Sequence, residues 1–206
     1  MIAIIDYGVG NLFSLVSSLR MIGAEAVVTG DAEVIRSADR LILPGVGAFA
    51  DAAAKLRECG LDRVIREEAL AGKEILGICL GMQLLFEKSY EYGEHEGLGL
   101  LRGTVVPMEG KISPSLKIPH IGWNALHFHR KHRLMKYIQE EDCVYFVHSY
   151  YAEGCEDSLL ATVEYGRELT AMVGKNNVMG CQFHPEKSGA VGLGILRAFC
   201  EGEGVQ

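Results

Sequence analysis

Along the first half of the chain, short unbroken apolar runs alternate with stretches whose apolar residues recur every three or four positions. Ile2–Asp6 is such a run and reads as a strand buried on both faces. Gly8-Val9-Gly10 turns the chain. Asn11 then caps a helix whose apolar stripe is Leu12, Leu15, Val16, Leu19 and Ile22, and Gly23 ends it. Ala26–Thr29 and Arg40–Leu43 are two further strands, the second cut off by Pro44-Gly45. The periodicity predicts helices over Ala48–Cys59 and Leu61–Leu70, a strand over Glu74–Ile78 and a helix over Met82–Phe86. Strands alternating with helices in this way imply a parallel sheet covered on both faces. The second half changes character: Thr104–Val106, Gly122–Phe128, Val144–Tyr151, Leu159–Glu164, Leu169–Gly174 and Val178–Phe183 read as strands. Asn176-Asn177 is a hairpin turn between the last two, and Ser188–Glu201 is a closing helix. The fold class expected is α/β: an open, mostly parallel sheet with helices on both faces and an antiparallel extension. With no linker or repeat, a single domain over 1–206 is expected.

Composition narrows the function more than the fold. With 20 Lys and Arg against 27 Asp and Glu, the net charge is −7, a poor match to nucleic acid or an anionic membrane. No stretch approaches the ~20 apolar residues of a membrane span. The N-terminus, MIAIIDYG, has no basic region before its apolar run and is expected to be a first strand, not a signal peptide. Six cysteines without a C-x-x-C pair point to reduced thiols in a cytoplasmic protein.

One cysteine stands apart. In Gly77-Ile78-Cys79-Leu80-Gly81 an apolar strand ends on a thiol flanked by glycines, and a helical pattern follows. In an open parallel sheet, ligands collect beyond the carboxyl ends of the strands. A nucleophile on a sharp strand-to-helix turn projects clear of the sheet there. The Leu80 N–H at the helix start is a ready oxyanion donor. On this corner alone a packing cysteine explains the run equally well. A thiol also needs a base, and Gln182-Phe183-His184-Pro185-Glu186 offers one. Pro185 forces His184 into an extended conformation, and residues i and i+2 of extended chain point the same way. Glu186 is therefore placed to orient His184, giving nucleophile, base and orienter as Cys79, His184 and Glu186. A second oxyanion donor is expected from Val46 or Gly47 in the loop Pro44-Gly45-Val46-Gly47.

The cysteine corner, the Phe183-His184-Pro185-Glu186 segment and the Pro44–Gly47 loop together resemble the class I (triad) glutamine amidotransferases, over nearly the whole chain and in the right order. Within that class, Asp6–Asn11, Pro119–Asn124, Tyr145–Tyr150 and the Lys187 after Glu186 are similar to the glutaminase subunits of imidazole glycerol phosphate synthases, of histidine biosynthesis. The resemblance implies a flavodoxin-like fold and a thioester formed on Cys79 from the side-chain amide of glutamine. It implies proton transfer by His184 and an oxyanion held by Leu80 and by Val46 or Gly47. Gln83, Ser149, Tyr150 and, by a weaker correspondence, Glu91 match substrate-binding positions. Asn11, Trp123, Tyr145 and Lys187 match positions that face a (β/α)8 cyclase subunit, which receives the ammonia in a heterodimer. No cofactor or metal is implied. Glutamine hydrolysis is expected to stay weak until that partner is loaded, with the Pro44–Gly47 loop as the switch.

Other features do not add a site. Gly8-Val9-Gly10 lacks the third glycine of a dinucleotide fingerprint, and Thr29 stands where the second strand should end on an acid. His127, His129 and His132 lack a completing Cys, Asp or Glu at metal-ligand spacing and read as part of a basic turn. Three readings stay open: the amidotransferase subunit, including one of another synthase in the class; a free-standing cysteine hydrolase; and a partner-binding chain without catalysis.

Overall fold

The computed structural model describes residues 1–10 and 12–202. Asn11 therefore lies outside the described residues. Strands β1 (Ile2–Ile5), β2 (Ala26–Thr29), β3 (Arg40–Leu43) and β4 (Glu74–Ile78) run parallel, and β13 (Val178–Cys181) joins β4 in the same sense. Beyond β13 the sheet continues antiparallel through β12 (Glu168–Lys175), β11 (Leu159–Glu164), β8 (His120–Phe128) and β9 (Cys143–His148). The full order is β2-β1-β3-β4-β13-β12-β11-β8-β9, the expected parallel sheet with its antiparallel extension. The β12–β13 hairpin turns at Asn176, whose φ is +53°.

Apart from the charged residues that open β3 and β4, strands β1, β3 and β4 are apolar because each serves two cores. Ile2, Ile4, Ile42, Leu76 and Ile78 face one cluster, together with Leu15 and Leu19 of helix α1 (Leu12–Met21) and Ile195, Leu196 and Phe199 of α6 (Gly189–Glu201). Ala3, Ile5, Leu41, Leu43 and Ile75 face the other. There they meet Phe49, Ala52 and Leu56 of α3 (Phe49–Glu58) and Val64 and Ile65 of α4 (Leu61–Leu70). The period of two along each strand sends alternate residues to opposite faces. Among the described residues no helix is long and apolar enough to cross a membrane.

Four local expectations are corrected. A short helix, α2 (Ala32–Ser37), lies between β2 and β3; Asp31 Oδ1 caps it, accepting from the Glu33 and Val34 N–H groups at 2.8 and 3.3 Å. It carries a single buried apolar side chain, Ile35, too few to show a period. The helix after Cys79 is α5 (Leu80–Leu84), not Met82–Phe86. The carbonyls of Leu84, Leu85 and Phe86 accept from the N–H groups of Leu98, Leu100, Leu101 and Gly99, so the helical ladder stops. Phe86 instead opens β5 (Phe86–Ser89) of a second, four-stranded sheet with β6 (His95–Glu96), β7 (Leu101–Pro107) and β10 (Tyr150–Glu153). Last, Val144–Tyr151 is not one strand. His148 pairs with His120 in the large sheet, Tyr150 pairs with Pro107 in the small one, and Ser149 is the crossing between them.

Candidate active site

Because β1, β3, β4 and β13 are parallel, the loops that leave their carboxyl ends gather at one edge. Leu43 lies beside Gly77, and Ile78 beside Cys181, so Pro44–Gly47, Cys79 and the segment before His184 leave the sheet as neighbours. Cys79 has φ +54° and ψ −114°, a backbone conformation costing about 1–3 kcal/mol. Its N–H donates to the Cys181 carbonyl at 2.8 Å and its carbonyl accepts from the Gln83 N–H at 3.2 Å, which hold the turn. The flanking glycines are there for close approach. A Cβ on Gly77 would stand 2.7 Å from the Met82 backbone nitrogen. On Gly81 it would stand 1.8 Å from the Leu43 carbonyl oxygen. Only with both absent does the helix start fold back over the strand and touch the end of β3.

Cys79 is 8 % exposed and opens on a cavity of about 570 Å³. His184 lines the same cavity. Its backbone is extended (φ −98°, ψ 98°), as the following proline requires. Nδ1 stands 2.7 Å from Glu186 Oε1 with both side chains 5 % exposed. The expected pairing is thus present, although not by extended geometry: Pro185–Lys187 forms a turn of 3-10 helix that folds the carboxylate back under the ring. Burial is the largest single influence on His184 and lowers its pKa. Hydrogen bonding to Cys79 and Glu186, and their charges, together outweigh it and raise the pKa to about 9. Among the described residues Glu186 Oε2 is buried without a hydrogen-bond partner, beside a small void lined by Leu15, Pro44 and Gly45.

The segment carrying the base also seals the sheet. β9 is its last strand, and the outward N–H and carbonyl of Tyr145 are taken up by Ser188 Oγ and the His184 N–H, each at 3.0 Å.

Leu80 is the first residue of α5, so its N–H has no partner one turn back in the helix. With five residues, that helix adds less dipole than a longer one. Val46 and Gly47 stand on the cavity wall, and the Tyr7 hydroxyl donates to the Pro44 carbonyl at 2.8 Å, fixing the start of their loop. Gln83, Glu91, Ser149 and Tyr150 line the same cavity. Glu91 also accepts the Phe49 N–H at 2.7 Å, capping α3, and burial raises its pKa. Trp123, 55 % exposed, meets Tyr145 edge-on at 6.1 Å between ring centres, and Lys187 Nζ lies 6.0 Å from the Tyr145 ring. Lys187, Ile118 and Pro119 also line the cavity.

The sequence reading gave no role to two residues near the thiol. Gln182 Nε2 is 3.8 Å from Cys79 Sγ. It stands two positions before His184, just past the end of β13, the same spacing that marked Glu186. His148 lines the cavity, and burial pushes it down to about 3. As a neutral ring it donates Nδ1–H to the Tyr150 carbonyl at 2.8 Å, and its Nε2 lies 3.1 Å from His120 Nδ1. The histidines of the basic turn have separate partners: Glu168 for His127, Thr162 for His129 and the Leu134 N–H for His132.

In Glu186→Gln the ring keeps an acceptor of the same shape and loses a charge. Its titration midpoint, followed by imidazole NMR, is expected to drop below the native value of about 9. Turnover of glutamine should fall about 10²–10⁴-fold. The linkage has a definite sign. With the folded pKa above the ordinary 6.5, the protonated ring stabilises the native state fully below that pH, and the contribution is lost as pH rises through about 9. The variant narrows that window from above.

Residues 3–200 match the family Glutamine amidotransferase class-I. The chain is 52 % identical over 201 residues to "Imidazole glycerol phosphate synthase subunit HisH" of Lactococcus lactis subsp. lactis (strain IL1403), covering 97 % of this chain and 98 % of that one. It is 48 % identical over 202 residues to the subunit of the same name from Bacillus subtilis (strain 168), covering 97 % and 95 %. Among solved structures it resembles a glutamine amidotransferase with a TM-score of 0.76 at 20 % identity, over 97 % of both chains. PurLQS from Thermotoga maritima gives 0.74 at 22 % identity, over 96 % of both chains.

Proposed function

The chain belongs to the class I glutamine amidotransferases, and from that premise we propose how its residues divide the work. It is the glutaminase subunit of an imidazole glycerol phosphate synthase, acting as a single amidotransferase domain. Cys79 Sγ attacks the side-chain amide carbon of glutamine. The Leu80 N–H and a donor from Val46 or Gly47 hold the oxyanion. His184, carrying the thiol proton, gives it to the departing nitrogen, and ammonia leaves with a thioester on Cys79. Water, deprotonated by His184, then releases glutamate and restores the thiol. A base whose pKa is raised to about 9 keeps that proton at neutral pH until the leaving group takes it. Glu186 fixes the ring and stabilises its charge. Gln83, Glu91, Ser149 and Tyr150 bind the amino-acid end of the substrate, Glu91 facing its ammonium group.

The observation that carries this reading is the meeting of Cys79 and His184 on one cavity wall with Glu186 locked 2.7 Å behind the ring. The partner that fits is a (β/α)8 cyclase subunit docked on Trp123, Tyr145 and Lys187, with Asn11 completing the contact; there the ammonia is consumed before water protonates it. Six free cysteines support a reducing, cytoplasmic setting. Glutamate release by the isolated chain is expected to be slow, and to rise at least about tenfold on adding the cyclase subunit with its nucleotide ligand, a normal coupling for linked sites. An equally fast rate without partner would mark a free-standing hydrolase instead.

A further inference from the structure

We propose that Gln182 is a catalytic residue for this reaction: its side-chain N–H donates to Cys79 Sγ and holds the sulfur as a thiolate facing the substrate. The inference rests on Cys79 being the nucleophile. Gln182 is fully buried at the end of the strand beside the cysteine corner, where its amide has no water to satisfy it. Nε2 lies 3.8 Å from Sγ, within the reach of an N–H to sulfur bond.

An amide can sit either way round, but here the direction is forced. The Tyr150 carbonyl accepts only, and Gln83 faces it at 3.2 Å, so that atom of Gln83 is the nitrogen. The same nitrogen lies 3.0 Å from the Gln182 amide, so the Gln182 atom it meets is the oxygen. The remaining amide atom, the one toward sulfur, is therefore an N–H donor. A chain of donors runs from Gln83 through Gln182 to Sγ, anchored at its far end on a backbone carbonyl of the substrate-binding segment. The Val147 carbonyl, 4.0 Å from Sγ, accepts the proton of the thiol form only at the outer limit of such a bond; the fixed Gln182 donor, closer at 3.8 Å, favours the ionised sulfur. The chain also redefines Gln83. Both of its N–H groups are spent inside the protein, so toward glutamine it can only accept.

Alkylation of Cys79 by iodoacetamide as a function of pH, on the full chain, tests this. In Gln182→Leu the alkylation midpoint is expected to move up by about one pH unit, a tenfold loss of thiolate on the lower limb. Gln182→Glu keeps the acceptor toward Gln83 and sets a carboxylate oxygen against sulfur, so its midpoint should move further. In complex with the cyclase subunit, kcat for glutamine hydrolysis should fall about 10–100-fold with KM changed less than threefold, the signature of a group that acts on the nucleophile. An unchanged alkylation midpoint in folded Gln182→Glu, or a loss confined to KM, overturns the proposal even if Gln182→Leu does not fold. If instead the native complex releases no glutamate and Cys79 resists alkylation, it is the glutaminase reading itself that fails.

Discussion

Replacing Cys79 by serine is expected to lower glutamine hydrolysis by at least about 10⁴-fold, to the level set by binding and oxyanion donors alone. Serine keeps the volume and the strained backbone at φ +54°, so the fold should melt as the native protein does. What it removes is a nucleophile that ionises readily beside an imidazole. An alcohol on the same corner holds its proton far more tightly, and its smaller oxygen sits further from the donors spaced for sulfur. The one such donor, the Gln182 nitrogen, is already 3.8 Å from Sγ; the Val147 carbonyl, an acceptor, lies 4.0 Å away. The complex should still make product from added ammonium at alkaline pH, because that substrate bypasses Cys79. Glutamate release and ammonia-driven synthesis, measured on one preparation, check both halves. A serine variant retaining even a hundredth of native glutaminase activity would show that the sulfur is not the attacking atom.

The second large effect falls on stability. Gly81→Ala should cost about 3 kcal/mol or more, since overpacking against backbone has no side chain to yield. That corresponds to a loss of roughly 6–12 °C in Tm for a domain of this size. The new methyl group would lie 1.8 Å from the Leu43 carbonyl oxygen and 2.7 Å from its carbon. Either β3 or the start of α5 must move, and both carry the site: β3 leads into the Val46–Gly47 loop, and α5 holds the Leu80 N–H. Activity should therefore drop even below the melting range. Gly72→Ala is the matched control, with φ +92° and nothing within 4 Å of its Cβ. It should show only the left-handed backbone penalty of about 1–2 kcal/mol. Equal Tm losses in the two variants would refute the close-packing account.

The parts of this molecule that were legible beforehand are those fixed by local rules. Ala26–Thr29, Arg40–Leu43 and Glu74–Ile78 are bounded in the chain by glycine, proline or charge, and the strands begin and end where those signals stand. The Cys79 corner was visible as a candidate because two glycines flank a thiol at the end of an apolar run, and the His184 segment tipped it away from a packing cysteine. The His184–Glu186 pair was visible as a spacing beside a proline, but the 3-10 turn of Pro185–Lys187 that brings the carboxylate to the ring was not. What could not be read was set by non-local pairing. Leu84-Leu85-Phe86 is buried on every side, so no period separates helix from strand there; the backbone of residues 98–101 decides it. The break at Ser149 depends on two different sheets claiming the residues on either side of it. Gln182 falls between these cases: its spacing from His184 was on the page, but its value comes from a neighbour 103 positions away in sequence.

A sheet whose last strand lies open invites another copy of itself to add on. Here the outermost rung at Tyr145 is filled by the backbone of His184 and the hydroxyl of Ser188. The chemistry of the chain and its resistance to fibre-like stacking are thus guarded by the same five residues. A lesion that loosens 184–188 disarms the enzyme and uncovers an adhesive rim in one stroke, so inactive variants in this stretch should be sorted by solubility before any is blamed on proton transfer.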